Sequence, residues 1–300
     1  SSATELTNDA RIIEDICKRF QAWMPKDGKI DGDHRKLLVI KCVHEMKEVG
    51  VRKLMTSFVY GENSENYDEF RLNNLTIAPT ESAALFEFFG HIKNLQFLNI
   101  QFCTMEHSAF RELANLLTKD NKIKDLTIED CRMSDDDAKH VIDALRNENC
   151  KVTRLVLAEN NLTARSAKYL RNTLKSGTCK LTELNVSGNE LNDHAAEYLS
   201  EALKSGKGKL NKLYLYRNEL EDAGGKYLCD ALMSGICELE VLDIGGNKLT
   251  DKSVECLGDL LDKGNCNLTT LFMSGCKLTN EGKQYLRDVF KCSSCYLTID

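Results

Sequence analysis

The sequence predicts an α/β solenoid, with parallel strands lining a concave side, helices on the convex side and a helical cap at the N-terminal end. Three observations predict it. One apolar motif recurs with a period of 28 or 29 residues from Leu95 onward. Each copy opens with the alternation of a half-buried strand. Each copy then continues with apolar residues one and four apart, the stripe of an amphipathic helix.

The motif is Leu-x-x-Leu-x-Leu-x-x-Asn/Cys-x-Leu. Its clearest copy is Leu181, Leu184, Val186, Asn189 and Leu191. The copies start at Leu95, Ile123, Val152, Leu181, Leu210, Leu239 and Leu268, 28 residues apart once and 29 apart five times. The helical stripes read Tyr169, Leu170, Leu174, then Tyr198, Leu199, Leu203, then Tyr227, Leu228, Leu232. Ser176-Gly177, Ser205-Gly206 and Lys263-Gly264 are expected to close helices. No such unit can bury its apolar face alone, so neighbours must stack. Stacked strands lie about 4.8 Å apart and helices are roughly 10 Å across, so the strand side must be concave.

Ahead of the regular copies, Leu72-Leu75-Ile77 reads as a short unit starting 23 residues before Leu95, and Val51-Leu54 as another. Residues 51–94 are therefore expected to hold irregular first repeats and 95–300 the regular ones. Leu297 lies 29 residues after Leu268, so a further strand is expected at the C-terminal end. Residues 1–50 carry two helical patterns, through Ala10–Met24 and His34–Glu48, expected to cap the solenoid. The first residue is Ser1 rather than Met, which suggests a piece of a longer protein.

Charge and composition exclude several classes. A net charge of −6 and a pI of about 5.7 argue against a nucleic-acid binder, which would show a basic face. No apolar run reaches the roughly 18 residues of a membrane helix, so no membrane partner is expected. The 13 cysteines fit a reducing compartment, and a cytoplasmic location is expected. The sequons at Asn74, Asn161 and Asn267 are Asn-Leu-Thr runs that the repeat itself generates; a fourth stands at Asn185.

Cys150, Cys179, Cys237, Cys266 and Cys295 sit two residues before the first apolar position of a unit, where Gly208 fills the remaining copy. A small buried side chain explains them better than reactivity. Cys103, Cys131 and Cys276 replace Asn160, Asn189, Asn218 and Asn247, whose amides are expected to hydrogen-bond loop backbone. Cys292-Ser-Ser-Cys295 lacks the further ligands that tetrahedral zinc needs. Asp135-Asp136-Asp137 fits a helix start rather than a cation site. Phosphate-loop, dinucleotide, nucleophile-elbow and zincin motifs are missing. No enzyme activity, catalytic residue, metal or cofactor is expected.

Strand register picks out a binding surface. Outward positions include Glu129, Val156, Tyr214, Tyr216, Asp243 and Phe272, with Arg217 beside them. Tyr214, Tyr216 and Arg217 place two aromatics and a guanidinium midway along the concave face, and such residues are enriched at binding hot spots. Small neighbours at Ser187, Gly188, Gly245 and Gly246 are expected to leave room for a partner, while Val156 and Phe272 add exposed apolar area. A protein partner or microbial ligand is expected there.

The 28/29-residue unit resembles the ribonuclease-inhibitor class of leucine-rich repeats, which implies a horseshoe. The spacing lacks that inhibitor's alternation and the single Trp, Trp23, lies outside the repeats, so ribonuclease inhibition is not implied. The segment His34–Glu45, with Leu37, Leu38, Cys42 and Glu45, resembles the helix joining the nucleotide-binding module of NOD-like receptors to their repeats. That resemblance implies a ligand-sensing or autoinhibitory domain acting on a nucleotide-binding module in cis. The alternatives are a free-standing cytosolic leucine-rich-repeat inhibitor and a GTPase regulator of the Ran-activating type.

Overall fold

The structure is a computed structural model that describes residues 68–92, 94–262, 267–291 and 295–300. The expected cap at 1–50, its NOD-like motif, the unit at Val51-Leu54, the Lys263-Gly264 turn, Cys266 and most of the Cys292–Cys295 run lie outside these residues.

Strand and helix alternate throughout. In chain order the elements are β1 (Glu69–Asn73), β2 (Thr76–Ile77), α1 (Pro79–His91), β3 (Phe97–Gln101), β4 (Thr104–Met105), α2 (His107–Thr118), β5 (Asp125–Glu129) and α3 (Asp135–Ala144). There follow β6 (Arg154–Val156), α4 (Ala164–Leu174), β7 (Glu183–Asn185), α5 (Asp193–Leu203), β8 (Lys212–Tyr214) and α6 (Asp222–Leu232). The last are β9 (Val241–Asp243), α7 (Asp251–Asp262), β10 (Thr270–Phe272), α8 (Asn280–Lys291) and β11 (Tyr296–Thr298).

Nine strands form one parallel sheet in the order β1-β3-β5-β6-β7-β8-β9-β10-β11, so each strand pairs with the next through a helical crossover. Register follows the motif: Leu126, Leu155, Leu184, Leu213, Leu242 and Leu271 stand side by side along the sheet. Each is at most 1% exposed, and the helix residues Leu170, Leu199 and Leu228 pack against the same continuous core. Alternation buries this row and turns its neighbours outward, which is why the expected α/β solenoid forms.

Two registers differ from the expectation. Leu72 does not start a short unit: it stands opposite Ile100, with Phe70 opposite Leu98, so β1 and β3 are 28 residues apart. Phe70 fills a leucine slot and Leu75 the Asn/Cys slot, and these two exchanges hide the copy in the sequence. Phe70 also packs its ring 4.8 Å from that of Phe89, within a cluster that includes Phe86 and Phe88. At the other end Leu297 pairs with Leu271, not with Leu268, so the final crossover is three residues shorter than a 29-residue repeat. Cys295, though buried, is therefore out of the ladder slot assigned to it.

The asparagine slot behaves as expected. Asn160 Nδ2 donates to the carbonyls of Ile128 and Ala158 at 2.9 and 3.0 Å, and its Oδ1 accepts from Cys131 N and Met133 N. Asn189, Asn218 and Asn247 repeat the bonds into the preceding unit. The thiols of Cys131 and Cys276 reach the equivalent carbonyls of Ile100 and Ile244 at 3.6 and 3.4 Å. Burial pushes the Cys131 thiol up to about 12 and raises those of Cys150, Cys179 and Cys276, the opposite of a reactive thiolate.

The acidic run starts α3. Ser134 caps the helix and the Asp137 carboxylate accepts from Ser134 N at 3.1 Å. Asp135 instead reaches the next unit, accepting from Thr163 N, Thr163 Oγ1, Ser166 N and Ser166 Oγ at 2.5–3.1 Å. Gly177 and Gly206 follow the helices they were expected to close, with φ of 77° and 63°.

Candidate functional site: the concave strand face

The outward residues form rows across the sheet, one residue per strand. The row holding Tyr214 runs Val156, Asn185, Tyr214, Asp243 and Phe272. Tyr214, Asp243 and Phe272 are all half-buried and adjacent, which places an acid between two aromatic rings. Half-burial pushes the Asp243 carboxyl above its usual value, and a 2.9 Å bond from Gly245 N to its Oδ1 offsets only part of that.

Val156 does not add exposed apolar area. It is 4% exposed, and Ala158 is 5% exposed. Val156 stands between Thr127 and Asn185 and two residues from Arg154, whose guanidinium bridges Asp125 at 3.0 Å and Glu183 at 2.7 Å. A short branched side chain in that setting does not rise above its neighbours. Glu129 is likewise engaged, accepting from Gln101 Nε2 one unit away.

The Arg154 bridge belongs to a row that sequence reasoning passed over. Asp125, Arg154, Glu183 and Lys212 occupy the outward position just before the central leucine, and Lys212 Nζ closes on Glu183 at 3.5 Å. The signal was available as charges of alternating sign at 29-residue spacing. Phe97 and Phe102, 40% and 52% exposed at the N-terminal end of the same face, were also passed over.

Glycine neighbours do not leave the expected room. A Cβ on Gly245 would stand 3.2 Å from Tyr216 Cδ2, and one on Gly246 would stand 3.2 Å from Cε2 of the same ring. The Tyr216 ring therefore lies over the glycine pair of the next unit. The Glu159 carboxylate takes the corresponding space beside Gly188.

The position after that row has left-handed backbone in every unit. Gly188, Gly246 and Gly275 take φ of 65°, 65° and 76°. Phe102, Asp130, Glu159 and Arg217 take φ of 53°, 48°, 52° and 50° in the same slot. A side chain there costs about 1–2 kcal/mol of backbone strain. Arg217 is exposed, with its Cζ 5.2 Å from the Tyr216 ring centroid. Among the described residues it forms no ion pair, and neither Tyr214 nor Tyr216 hydrogen-bonds its hydroxyl.

Among the described residues no group of three or more His, Cys, Asp or Glu side chains could hold a metal, and no helix is long and apolar enough to cross a membrane. An open groove of about 290 Å³ lies between Phe89, Ile92, Leu95 and Ile123, and neither Tyr214 nor Tyr216 lines it.

A family profile described as Leucine Rich repeat matches residues 178–200, 237–258 and 264–286. No curated protein matches the chain. Among solved structures, an internalin from Listeria monocytogenes is similar at 17% identity and a TM-score of 0.48, over 84% of this chain and 70% of that one. Repeats of this class are generally protein-binding modules and typically non-enzymatic scaffolds. Parallel strands in one sheet, a helix in every crossover and the repeated leucine register make this chain a leucine-rich-repeat α/β solenoid.

Proposed function

We propose that the concave face binds a protein partner centred on Tyr214, Tyr216 and Arg217, and that the chain is the ligand-sensing and autoinhibitory part of a cytoplasmic NOD-like innate immune receptor. Arg217 carries the binding reading. It is an exposed cation that no carboxylate of the described residues meets, beside two aromatic side chains of the same repeat. Tyr216 steadies the guanidinium, and the unpaired tyrosine hydroxyls supply polar ends for an interface. The partner's matching group is an acidic side chain. The receptor reading rests on the resemblance of His34–Glu45, and it assigns the partner in cis as a nucleotide-binding module.

Affinity capture from cytosolic lysate, followed by titration of the captured protein, tests the face. Arg217→Gly removes the cation and relieves the backbone, so it is expected to weaken binding at least about tenfold, or 1.4 kcal/mol, without lowering the melting temperature. Tyr214→Ala with Tyr216→Ala is expected to cost more than about 2 kcal/mol of binding. Unchanged affinity in both variants removes the concave reading. The receptor reading fails if the full transcript encodes no nucleotide-binding module upstream; a free-standing inhibitor or GTPase regulator then takes its place.

A further inference from the structure

On the convex side one inter-helix contact recurs at four successive junctions. Arg171 stacks on the Tyr198 ring, Cζ 4.8 Å from its centroid. One repeat later Ser200 donates its hydroxyl to the Tyr227 carbonyl at 2.6 Å. Two repeats further on, Gly258 faces Tyr285, whose hydroxyl would stand 2.5 Å from a Cβ on that glycine. The junction between these brings Cys229 and Cys256 together, the buried thiol of α6 facing the half-buried one of α7. Positions 169, 198, 227 and 285 are tyrosine, and position 256 breaks the series. Only here are both partners of the contact cysteine.

We propose that Cys229 and Cys256 are a redox-modification site, which closes to a disulfide between α6 and α7 on reaction with a low-molecular-weight disulfide of the glutathione class. The helices are close enough. One turn earlier on the same pair, a Cβ on Gly225 would stand 3.4 Å from Ser253 Cβ, against a disulfide's usual Cβ separation of about 3.5–4.5 Å. Access is asymmetric: Cys229 is 1% exposed and Cys256 half-buried, so a reagent meets Cys256 first. The hydrogen bond from the Cys229 thiol lowers the pKa of Cys256, whereas that bond and burial raise the pKa of Cys229. Cys256 is thus the attacking thiolate and Cys229 the resolving thiol.

The chemistry balances without a further reactant. The Cys256 thiolate attacks one sulfur of oxidised glutathione, forming a mixed disulfide and releasing one glutathione thiolate, which takes up a proton. Cys229 then attacks Cys256 Sγ; its proton goes to the departing second glutathione. Two protein thiols are oxidised to one disulfide, and one glutathione disulfide is reduced to two thiols. The closed loop encircles β9 together with Gly245 and Gly246, the pair beneath the Tyr216 ring.

The test equilibrates the full chain with oxidised and reduced glutathione at graded ratios, alkylates residual thiols and maps linked peptides by mass spectrometry. The Cys229–Cys256 link is expected at the lowest oxidised fraction, before any link from Cys103, Cys131, Cys150, Cys179, Cys237, Cys276 or Cys295. Cys229→Ser restores the residue of the preceding repeat and is expected to stop the reaction at a glutathione adduct on Cys256. Cys256→Tyr restores the tyrosine series and is expected to leave Cys229 unmodified in the folded protein. The proposal is overturned if wild type also stops at the Cys256 adduct, if Cys256 links elsewhere, or if another pair closes first.

Discussion

Asn189 shares its amide hydrogens among the carbonyls of Leu157, Val186 and Ser187, and its Oδ1 accepts from Asn160 N and Leu162 N. Val186 O also accepts from Asn218 Nδ2 and Ser187 O from Glu159 N, so Leu157 O, Asn160 N and Leu162 N are the three groups that depend on this amide. Asn189→Ala strands them in a place water does not reach, and an unpaired buried group costs about 1–3 kcal/mol. A loss of at least about 2 kcal/mol is expected in urea unfolding, with far-ultraviolet dichroism retained before the transition. A loss below about 0.5 kcal/mol would show that water replaces the amide. The residue type was readable from spacing, because the motif returns Asn every 29 residues. The exposure of a single side chain was not: Val156 and Tyr214 occupy the same row, and the height of each above its neighbours buries one and leaves the other half open.

Helices α3, α6 and α7 each begin with an aspartate that bonds across to the next unit. Asp222 accepts from Thr250 Oγ1 and Ser253 Oγ at 2.7 and 2.6 Å, as Asp135 does from Thr163 and Ser166, and Asp251 accepts from Thr279 N at 2.9 Å. Burial alone would raise the Asp135 and Asp222 carboxyls. Hydrogen bonds from the facing Ser and Thr more than offset it, so both lie below their ordinary value of 3.8. A carboxyl depressed on folding contributes stability that is full above 3.8 and is lost as pH falls through the lower folded value. Melting temperature is therefore expected to drop between pH 4 and pH 2, and Asp135→Asn with Asp222→Asn is expected to flatten that drop. A double variant as acid-sensitive as wild type would place the effect elsewhere. The helix starts were legible as acidic clusters. Their use as links between repeats was not, since the donating Thr and Ser lie 28 and 31 residues away.

Among the described residues each strand pairs only with those of adjoining units, so stability accumulates along the sheet. β11 is the exposed case: Tyr296 is 66% exposed and, among the described residues, β11 pairs with β10 alone. Amide hydrogen exchange is expected to be slowest in β6 to β8 and orders of magnitude faster in β11. Uniform protection from β6 to β11 would mean that the units unfold as one block. The concave face follows the same logic, because Tyr216 needs Gly245 and Gly246 from the next unit beneath it, and Arg217 needs Tyr216.

The sequence by itself determined the solenoid. A 29-residue period, a strand alternation and a helical stripe leave one way to bury the leucines, and the asparagine ladder and the cysteine slots follow from the same count. What it could not determine was register where the residue types depart from the motif. Phe70 in a leucine slot hid the first described copy, and a final crossover three residues shorter moved Leu297 opposite Leu271. Nor could it determine how outward side chains share space, because that depends on contacts between residues 29 apart rather than on either residue alone. The filling of the glycine gap by Tyr216, the Arg154 bridge and the meeting of Cys229 with Cys256 were decided by the stacking of one unit on the next.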